Sequence, residues 1–165
     1  MKILVFSDSH SSLRFMRQCI SVIKPDAMIH LGDYYDDGAA IGEEFPSIRL
    51  YQVPGNCDQY RCPPFAAETL VEKVCGVKLL MTHGHIHRVK TGLGALIADG
   101  RKTGASAVLF GHTHSAYCSR EEDGLWVLNP GSCGYYGGSA AVIEVSRNEI
   151  SDCRIIGQSD LDEMK

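Results

Sequence analysis

Five short polar motifs recur along this chain, and each follows a short apolar run. The apolar runs span residues 3–6, 27–31, 50–53, 77–81 and 107–110, and their length and composition predict buried strands. Ligands of open α/β sheets bind at the carboxyl ends of the strands. The pattern therefore predicts that the polar side chains of the motifs meet at one edge. The motifs are Asp8-Ser9-His10, Gly32-Asp33, Gly55-Asn56-Cys57-Asp58, His83-Gly84-His85 and Gly111-His112-Thr113-His114.

The order of the predicted elements indicates an α/β fold. Apolar residues at helical spacing from Leu13 to Ile23 predict a helix between the first two strands, and weaker patterns predict helices over 38–44 and from Leu93 to Gly104. Strands at 69–74 and 77–81 are expected to form a hairpin. The short strands predicted at 116–120, 125–128, 140–145 and 153–156 suggest that the second half forms a separate, mostly antiparallel sheet.

Two mixed sheets with helices outside them would form a four-layer α/β/β/α sandwich. We expect a single domain over residues 1–158, followed by a polar and frayed tail at 159–165. The formal net charge of -4 offers no basic footprint for nucleic acid, although a small phosphate ester bound through metal ions remains compatible with it. No apolar stretch approaches the roughly 18 residues of a membrane span.

Cysteine usage favours a cytoplasmic protein. The chain contains seven cysteines, an odd number, and none of them form a Cys-x-x-Cys pair. Because disulfide frameworks and zinc knuckles need paired spacing, we expect reduced thiols.

The polar motifs supply a set of metal ligands. Asp8 and His10 are two residues apart, so in strand geometry both would point to the same side. The carboxylate of Asp33 could bridge two ions, and Asn56 could ligate through its amide oxygen. Further imidazoles come from His83, His112 and His114. Nitrogen and oxygen ligands without thiolate fit manganese, iron, zinc or nickel better than calcium or magnesium. Two such ions about 3.5–4 Å apart activate water for attack on a phosphate ester.

As an ordered set these motifs resemble the calcineurin-like metallophosphoesterases, and the short length and the Gly-Asn-Cys-Asp form resemble the small YfcE-type phosphodiesterases related to the Vps29 scaffold. An Asn-Pro-Gly-Ser segment at 129–132 extends the likeness. The resemblance implies the four-layer sandwich, a metal-bridging hydroxide, Mn²⁺ as first choice before Zn²⁺, Fe²⁺ or Ni²⁺, and frequent homodimers or homotetramers. It also implies two ligand sets bridged by Asp33: Asp8, His10, Asp33 and His114 for the first metal, and Asp33, Asn56, His83 and His112 for the second.

The chain departs from this family at two places. Many relatives carry histidine, a proton donor for the leaving group, where this chain carries Cys57, and a thiol with an ordinary pKa near 8.5 is a poor substitute. We therefore expect weak turnover of esters with poor leaving groups, unless His85 supplies the proton. Asp58 is expected to orient other groups rather than to ligate. The second departure is Tyr135-Tyr136 after the Asn-Pro-Gly-Ser segment, where the rings could stack on an aromatic substituent.

Two other functions are compatible with the sequence. One is a Vps29-like interaction scaffold with a metal pocket that no longer catalyses, although all seven predicted ligands are present. The other is a phosphomonoesterase or nucleotidase. Among the remaining polar residues, we expect His30 in the core and His87 facing solvent. The pair Asp36-Asp37 is expected in a solvated acidic turn or, if it lies near the metals, as additional negative charge around them. Tyr34 and Tyr35 could line the substrate cleft or cover the sheet edge, and we favour covering.

Overall fold

The structure is a computed structural model that describes residues 1–135 and 137–164. These residues form ten strands and four helices. In chain order the elements are β1 (Lys2–Phe6), α1 (Leu13–Ile23), β2 (Ala27–His30), α2 (Tyr35–Glu44), β3 (Arg49–Gln52), β4 (Thr69–Val74), β5 (Val77–Thr82), α3 (Gly94–Thr103), β6 (Ala107–Leu109), β7 (Tyr117–Arg120), β8 (Trp126–Asn129), β9 (Ser139–Ser146), β10 (Glu149–Gly157) and α4 (Gln158–Glu163).

The strands form two five-stranded mixed sheets. The first has the order β10-β9-β1-β2-β3, in which β1, β2 and β3 are parallel and β9 is antiparallel to both of its neighbours. The second has the order β4-β5-β6-β8-β7, in which β5, β6 and β8 are parallel and the edge strands β4 and β7 are antiparallel. Each sheet therefore contains three neighbouring parallel strands, and the five polar motifs follow five of these six strands.

Apolar residues alternate between two faces of each sheet and create three packed layers. Ile3 and Val5 of the first sheet join Met81 of the second in the core between the sheets. Leu4 of β1 packs on the other side with α1, α2 and α4, and Leu80 of β5 packs with α3. Because both faces of the central strands are covered, their sequences are continuously apolar. The predicted four-layer α/β/β/α sandwich is confirmed.

Two predictions about the second half of the chain are wrong. The late strands do not form one sheet, because β7 and β8 lie in the second sheet and β9 and β10 in the first. Strand β9 pairs with β1 on the side opposite β2, and β10 then pairs with β9. The segment Ala140–Ile143 is buried on both faces, so it fits only a covered position. Residues 158–163 are also not frayed, because they form α4 and bury Leu161 completely.

The seven cysteines all lie within the described residues and are free thiols. Three of them, Cys19, Cys133 and Cys153, are buried. No helix in the described part of the chain is both long and apolar enough to cross a bilayer.

Candidate metal centre

The loops after the parallel strands bring four predicted ligands together. One ligand atom from each of Asp8, His10, Asp33 and His114 lies within 4.8 Å of the other three. Nε2 of His114 is 3.1 Å from Oδ1 of Asp8. Two donors on one ion, each about 2.0–2.2 Å from it, are separated by a distance of this order. The group corresponds to the first ligand set implied by the sequence.

His83 connects this group with the remaining predicted ligands. Its Nε2 atom lies 3.5 Å from Oδ1 of Asp33 and 4.0 Å from Oδ1 of Asp8. Its ring centroid is 5.1 Å from that of His112. Asn56 is exposed and precedes Cys57, whose backbone N–H donates to Asp33 Oδ1 at 3.0 Å. The second ligand set therefore adjoins the first around Asp33, and its role as a metal site remains a prediction.

Three polar atoms that point into the centre are buried without a hydrogen bond among the described residues: Oδ1 of Asp8, Nε2 of His10 and Nε2 of His83. A buried polar group without a partner costs about 1–3 kcal/mol, more when it is charged. Divalent cations at the two predicted positions would satisfy these atoms, with Asp8 and His10 in the first ligand set and His83 in the second. This arrangement fits the divalent metal that the donor set predicts.

The protonation states of these groups are those of metal ligands. Burial lowers the pKa of His83 to about 4, so its imidazole is neutral at pH 7. Burial also lowers the pKa of His10 and of His112. Burial opposes the ionisation of Asp33, but His83 and the amide of Cys57 outweigh it, and the pKa lies below 3.8. Neutral imidazole and ionised carboxylate are the forms that bind metal.

Asp8 differs from the other carboxylates. Its Oδ2 atom accepts hydrogen bonds from Ser7 Oγ at 2.6 Å and from the backbone N–H of His112 at 3.1 Å. Burial nevertheless dominates and raises the pKa of Asp8 to about 6 in the metal-free chain. Holding this charge is therefore unfavourable unless a cation is bound.

Most of the predicted ligands have a left-handed backbone conformation. Five predicted ligands have positive φ: Asp8 (52°), His10 (44°), Asp33 (56°), His112 (66°) and His114 (57°). Such conformations are uncommon outside glycine and cluster at functional sites. The strand geometry predicted for the first pair is thus wrong, because β1 ends at residue 6 and a tight loop brings the two side chains together.

Two motif glycines allow the loops to approach the carboxylates. A β-carbon at Gly55 would collide with Oδ1 and the backbone nitrogen of Asp33. One at Gly111 would collide with the hydroxyl of Ser7, beside Asp8. The glycines of these motifs are therefore explained by close packing against the centre.

Asp58 fixes the loop between two ligands rather than facing the metal position. It is fully buried, and Oδ1 accepts the backbone N–H groups of Tyr34 and Tyr35 at 2.8 and 2.9 Å, while Oδ2 accepts that of Gly55 at 2.7 Å. These bonds tie the turn after β2 to the turn after β3. Asp58 thus fixes the relative positions of the two turns that carry Asp33 and Asn56.

Cys57 and His85 border the centre. Burial and the nearby Asp33 carboxylate raise the pKa of the Cys57 thiol to about 11, so the thiol keeps its proton at pH 7. The ring of His85 lies 5.6 Å from that of His83, and its Nε2 atom lies 3.5 Å from the carboxylate of Glu68. Neither residue belongs to the compact ligand group, and their role in lining the site stays a prediction.

The structure identifies supporting residues that sequence reasoning missed. Asn129 donates to Gly111 O and to Thr113 Oγ1, both at 3.0 Å, and Ser132 Oγ donates to Asp8 O at 2.7 Å. The Asn-Pro-Gly-Ser segment therefore braces two ligand loops. The Asn-Pro-Gly-Ser motif can be recognised in the sequence, but the sequence does not show which groups its side chains bond to.

Several expectations about nearby residues are wrong. Asp37 is not in a solvated turn: it is buried at the start of α2, where Oδ2 accepts Ser9 Oγ and Ser11 N at 2.7 Å each. His87 does not face solvent, because its side chain is 8% exposed and Nε2 lies 3.1 Å from Asp99 Oδ2. The ring of Tyr34 contacts His10 at the site instead of only covering the sheet.

His30 lies in the core as expected. It is fully buried, and burial lowers its pKa to about 4. Its Nδ1 atom is 3.3 Å from the backbone N–H of Gly32, and its Nε2 atom is 3.1 Å from Ser9 Oγ. Because Ser9 donates to Asp37, the neutral ring carries its proton on Nε2 and donates to Ser9.

A cleft of about 630 Å³ opens beside Asn56 and His85. Most of its lining residues, including Glu68, come from the segment between β3 and β4. Its lining residues, all described, include no lysine or arginine. The cleft is large enough for part of a small organic substrate.

Sequence comparisons assign the chain to a known family. The family model of the calcineurin-like phosphoesterase superfamily domain matches residues 1–148. The probable metallophosphoesterase YsnB of Bacillus subtilis is 34% identical over 139 residues, which cover 80% of this chain and 75% of that protein. A phosphodiesterase of Methanocaldococcus jannaschii is 28% identical over 168 residues, which cover 90% and 96%.

Solved structures have the same fold. A conserved Streptococcus pneumoniae protein described as a predicted phosphoesterase superposes with a TM-score of 0.73 at 24% identity, covering 95% of this chain and 97% of that one. Entamoeba histolytica Vps29 complexed with Zn²⁺ superposes with a TM-score of 0.72 at 21% identity, covering 94% and 90%. The chain belongs to the calcineurin-like phosphoesterase superfamily and is a metallophosphoesterase, a hydrolase that acts on phosphoric esters.

Proposed function

We propose that this protein is a phosphodiesterase that uses two divalent metal ions, with Mn²⁺ as first choice, to hydrolyse a small phosphate ester. The observation that carries the proposal is the convergence of Asp8, His10, Asp33 and His114, with Nε2 of His83 3.5 Å from Oδ1 of Asp33. Seven oxygen and nitrogen ligands, with Asp33 shared, are enough for two ions. Zn²⁺, Fe²⁺ and Ni²⁺ suit the same donor set.

Two divalent ions held by these ligands would supply Lewis-acid activation of a phosphoryl group and of a water nucleophile. The residues of the chain contribute orientation. The backbone carbonyl of Leu31 accepts the Nδ1 proton of His83 at 2.8 Å, which leaves Nε2 aimed at Asp33. Asp58 and Asn129 hold the surrounding loops, and the buried position of Asp8 limits the access of bulk water.

The cleft beside Asn56 supports a diester over a monoester. A diester keeps one negative charge and carries a second organic substituent, which the cleft could hold. The exposed carboxylate of Glu68 and the lack of a basic residue in its lining disfavour a substituent that carries further negative charge. The monoesterase alternative would place a dianion next to this carboxylate.

The protonated Cys57 thiol supports a preference for activated esters. With a pKa of about 11 the thiol donates a proton poorly to a departing alkoxide. Diesters whose leaving group is already stable as an anion do not need this proton. The free thiols also support a cytoplasmic location.

The decisive experiment measures hydrolysis of bis(p-nitrophenyl) phosphate and of p-nitrophenyl phosphate by metal-stripped protein, with and without Mn²⁺. We expect Mn²⁺-dependent turnover, faster on the diester, and its loss in Asp33→Ala. Asp123→Ala, which removes an exposed carboxylate that pairs with Arg101 outside both the ligand set and the cleft, is the matched control and should retain activity.

Other outcomes would change the function. Faster turnover of the monoester would replace the diesterase with a phosphomonoesterase. Folded protein that hydrolyses neither compound with any divalent metal would favour the scaffold alternative, in which partner binding is independent of metal.

A further inference from the structure

The two histidines of the first ligand set pack against tyrosine rings. The ring of Tyr135 stacks on His114 with centroids 5.3 Å apart and an interplanar angle of 19°, and it also lies 4.9 Å from the ring of His10. Tyr34 also contacts His10, with ring centroids 5.1 Å apart and an interplanar angle of 65°. One tyrosine thus touches both imidazoles, and a second tyrosine braces one of them.

This arrangement differs from the way in which His83 is held. Its Nδ1 atom is fixed by the carbonyl of Leu31, the usual type of support for a ligating histidine. In the described part of the chain no backbone carbonyl bonds to His10 or His114, and Nε2 of His10 is buried without a hydrogen bond. Ring packing takes the place of that bond for these two ligands.

The tyrosines are themselves held in position. Tyr135 follows a segment bound to the backbone of the first ligand loop: Cys133 N donates to Ser7 O at 3.0 Å, and Gly134 N donates to Asp8 O at 3.2 Å. The guanidinium carbon of Arg61 lies 4.1 Å from the ring centroid of Tyr34. The backbone before Tyr135 is therefore bonded to the first ligand loop, and the ring of Tyr34 is held by its contact with Arg61.

We propose that Tyr135 is a positioning residue for the first metal position, with Tyr34 in support. Its ring restricts rotation of the His10 and His114 imidazoles, so that their nitrogens are already oriented when metal arrives. The inference rests on the proposed metal centre and goes beyond it by assigning a source of metal affinity outside the ligands. Loss of the ring should weaken binding about tenfold, the lower end of the range for residues that orient ligands.

The test is a Mn²⁺ titration of metal-stripped protein, with free Mn²⁺ followed by electron paramagnetic resonance. We expect Tyr135→Ala to weaken one class of sites about tenfold and Tyr135→Phe, which keeps the ring, to bind as wild type does. Tyr60 is 93% exposed and has no ring contact within the described residues, so Tyr60→Ala is the matched control. Saturating Mn²⁺ should restore kcat to Tyr135→Ala.

Unchanged Mn²⁺ affinity in folded Tyr135→Ala would overturn the proposal. So would equal losses in the Phe and Ala variants, because they would assign the effect to the hydroxyl. Wild-type protein that binds no Mn²⁺ would overturn both the positioning role and the metal assignment. Normal Mn²⁺ binding that responds to Tyr135→Ala, without hydrolysis of any ester, would uphold the positioning role and refute only the proposed function.

Discussion

Replacing Asp8 with asparagine should stabilise the metal-free protein at neutral pH. The carboxylate is fully buried, one of its oxygens has no hydrogen bond, and its pKa is raised from 3.8 to about 6. Since one pKa unit corresponds to 1.36 kcal/mol, ionising this group in the folded chain costs about 3 kcal/mol more than in the unfolded chain. An amide of the same shape avoids that cost and can still accept from Ser7.

The sign of the pH dependence follows from the raised pKa. Below pH 3.8 the carboxyl is protonated in both the folded and the unfolded chain, and its full contribution to stability is present. As pH rises, the unfolded chain loses its proton first, and stability falls until the folded carboxyl ionises near pH 6. The advantage of Asp8→Asn should therefore be about 3 kcal/mol at pH 7.5 and about 1.5 kcal/mol at pH 5.

Urea denaturation in the presence of a chelator, at both pH values, measures this difference. Asp58→Asn is the matched control, because Asp58 is equally buried but accepts three backbone N–H groups. The amide nitrogen of Asn at position 58 would face a backbone N–H donor, so the free energy of unfolding of this variant should fall by about 2 kcal/mol. A destabilised Asp8→Asn, or an advantage independent of pH, would refute the argument. With saturating Mn²⁺ the order should reverse, since binding stabilises only the protein with intact ligands.

Two further predictions concern catalysis and metal binding. Cys57→His should raise the rate for esters with poor leaving groups by about 10²-fold or more, because an imidazole can protonate the leaving oxygen. Steady-state rates on an alkyl and an aryl diester would measure this, with Cys75→Ala, in the turn between β4 and β5, as the control. An unchanged ratio of the two rates would contradict the prediction. The affinity of the wild type for Mn²⁺ should fall about tenfold per pH unit below pH 6, where Asp8 takes up its proton. Calorimetric titration between pH 5 and 7.5 would show this slope, and constant affinity would exclude Asp8 as the controlling group.

The layers of the fold could be predicted because they depend on local apolar patterns. Ile3 and Val5 face one core and Leu4 the other, and this continuous burial is visible in the sequence. The sheet to which β9 belongs could not be predicted, because it depends on the edge of β1 more than 130 residues earlier along the chain. Long-range pairing is a property of the assembled sheet, and no local signal specifies it.

The candidate ligands could be named from the motifs, but their geometry could not. The sequence places Asp8 and His10 after a strand, and simple strand geometry would have sufficed to bring them together. The structure uses left-handed turns instead. Asp37 shows the same limit: its charge suggests a solvated turn, whereas the partners that make burial tolerable, Ser9 and Ser11, come from a distant loop.

The unfavourable features of this protein are concentrated where the sheets end. A buried carboxylate with a raised pKa, unpaired ring nitrogens and several left-handed residues lie in adjoining loops, while the three cores beneath them are continuously apolar. Strain and desolvation of this kind persist only when the surrounding structure holds them in place. Metal binding at the proposed centre would remove the desolvation penalty of Asp8 and satisfy the ring nitrogens. Between about pH 4 and 6 the metal affinity should therefore rise with pH while the stability of the metal-free chain falls, and at saturating metal the two contributions of Asp8 to stability should cancel.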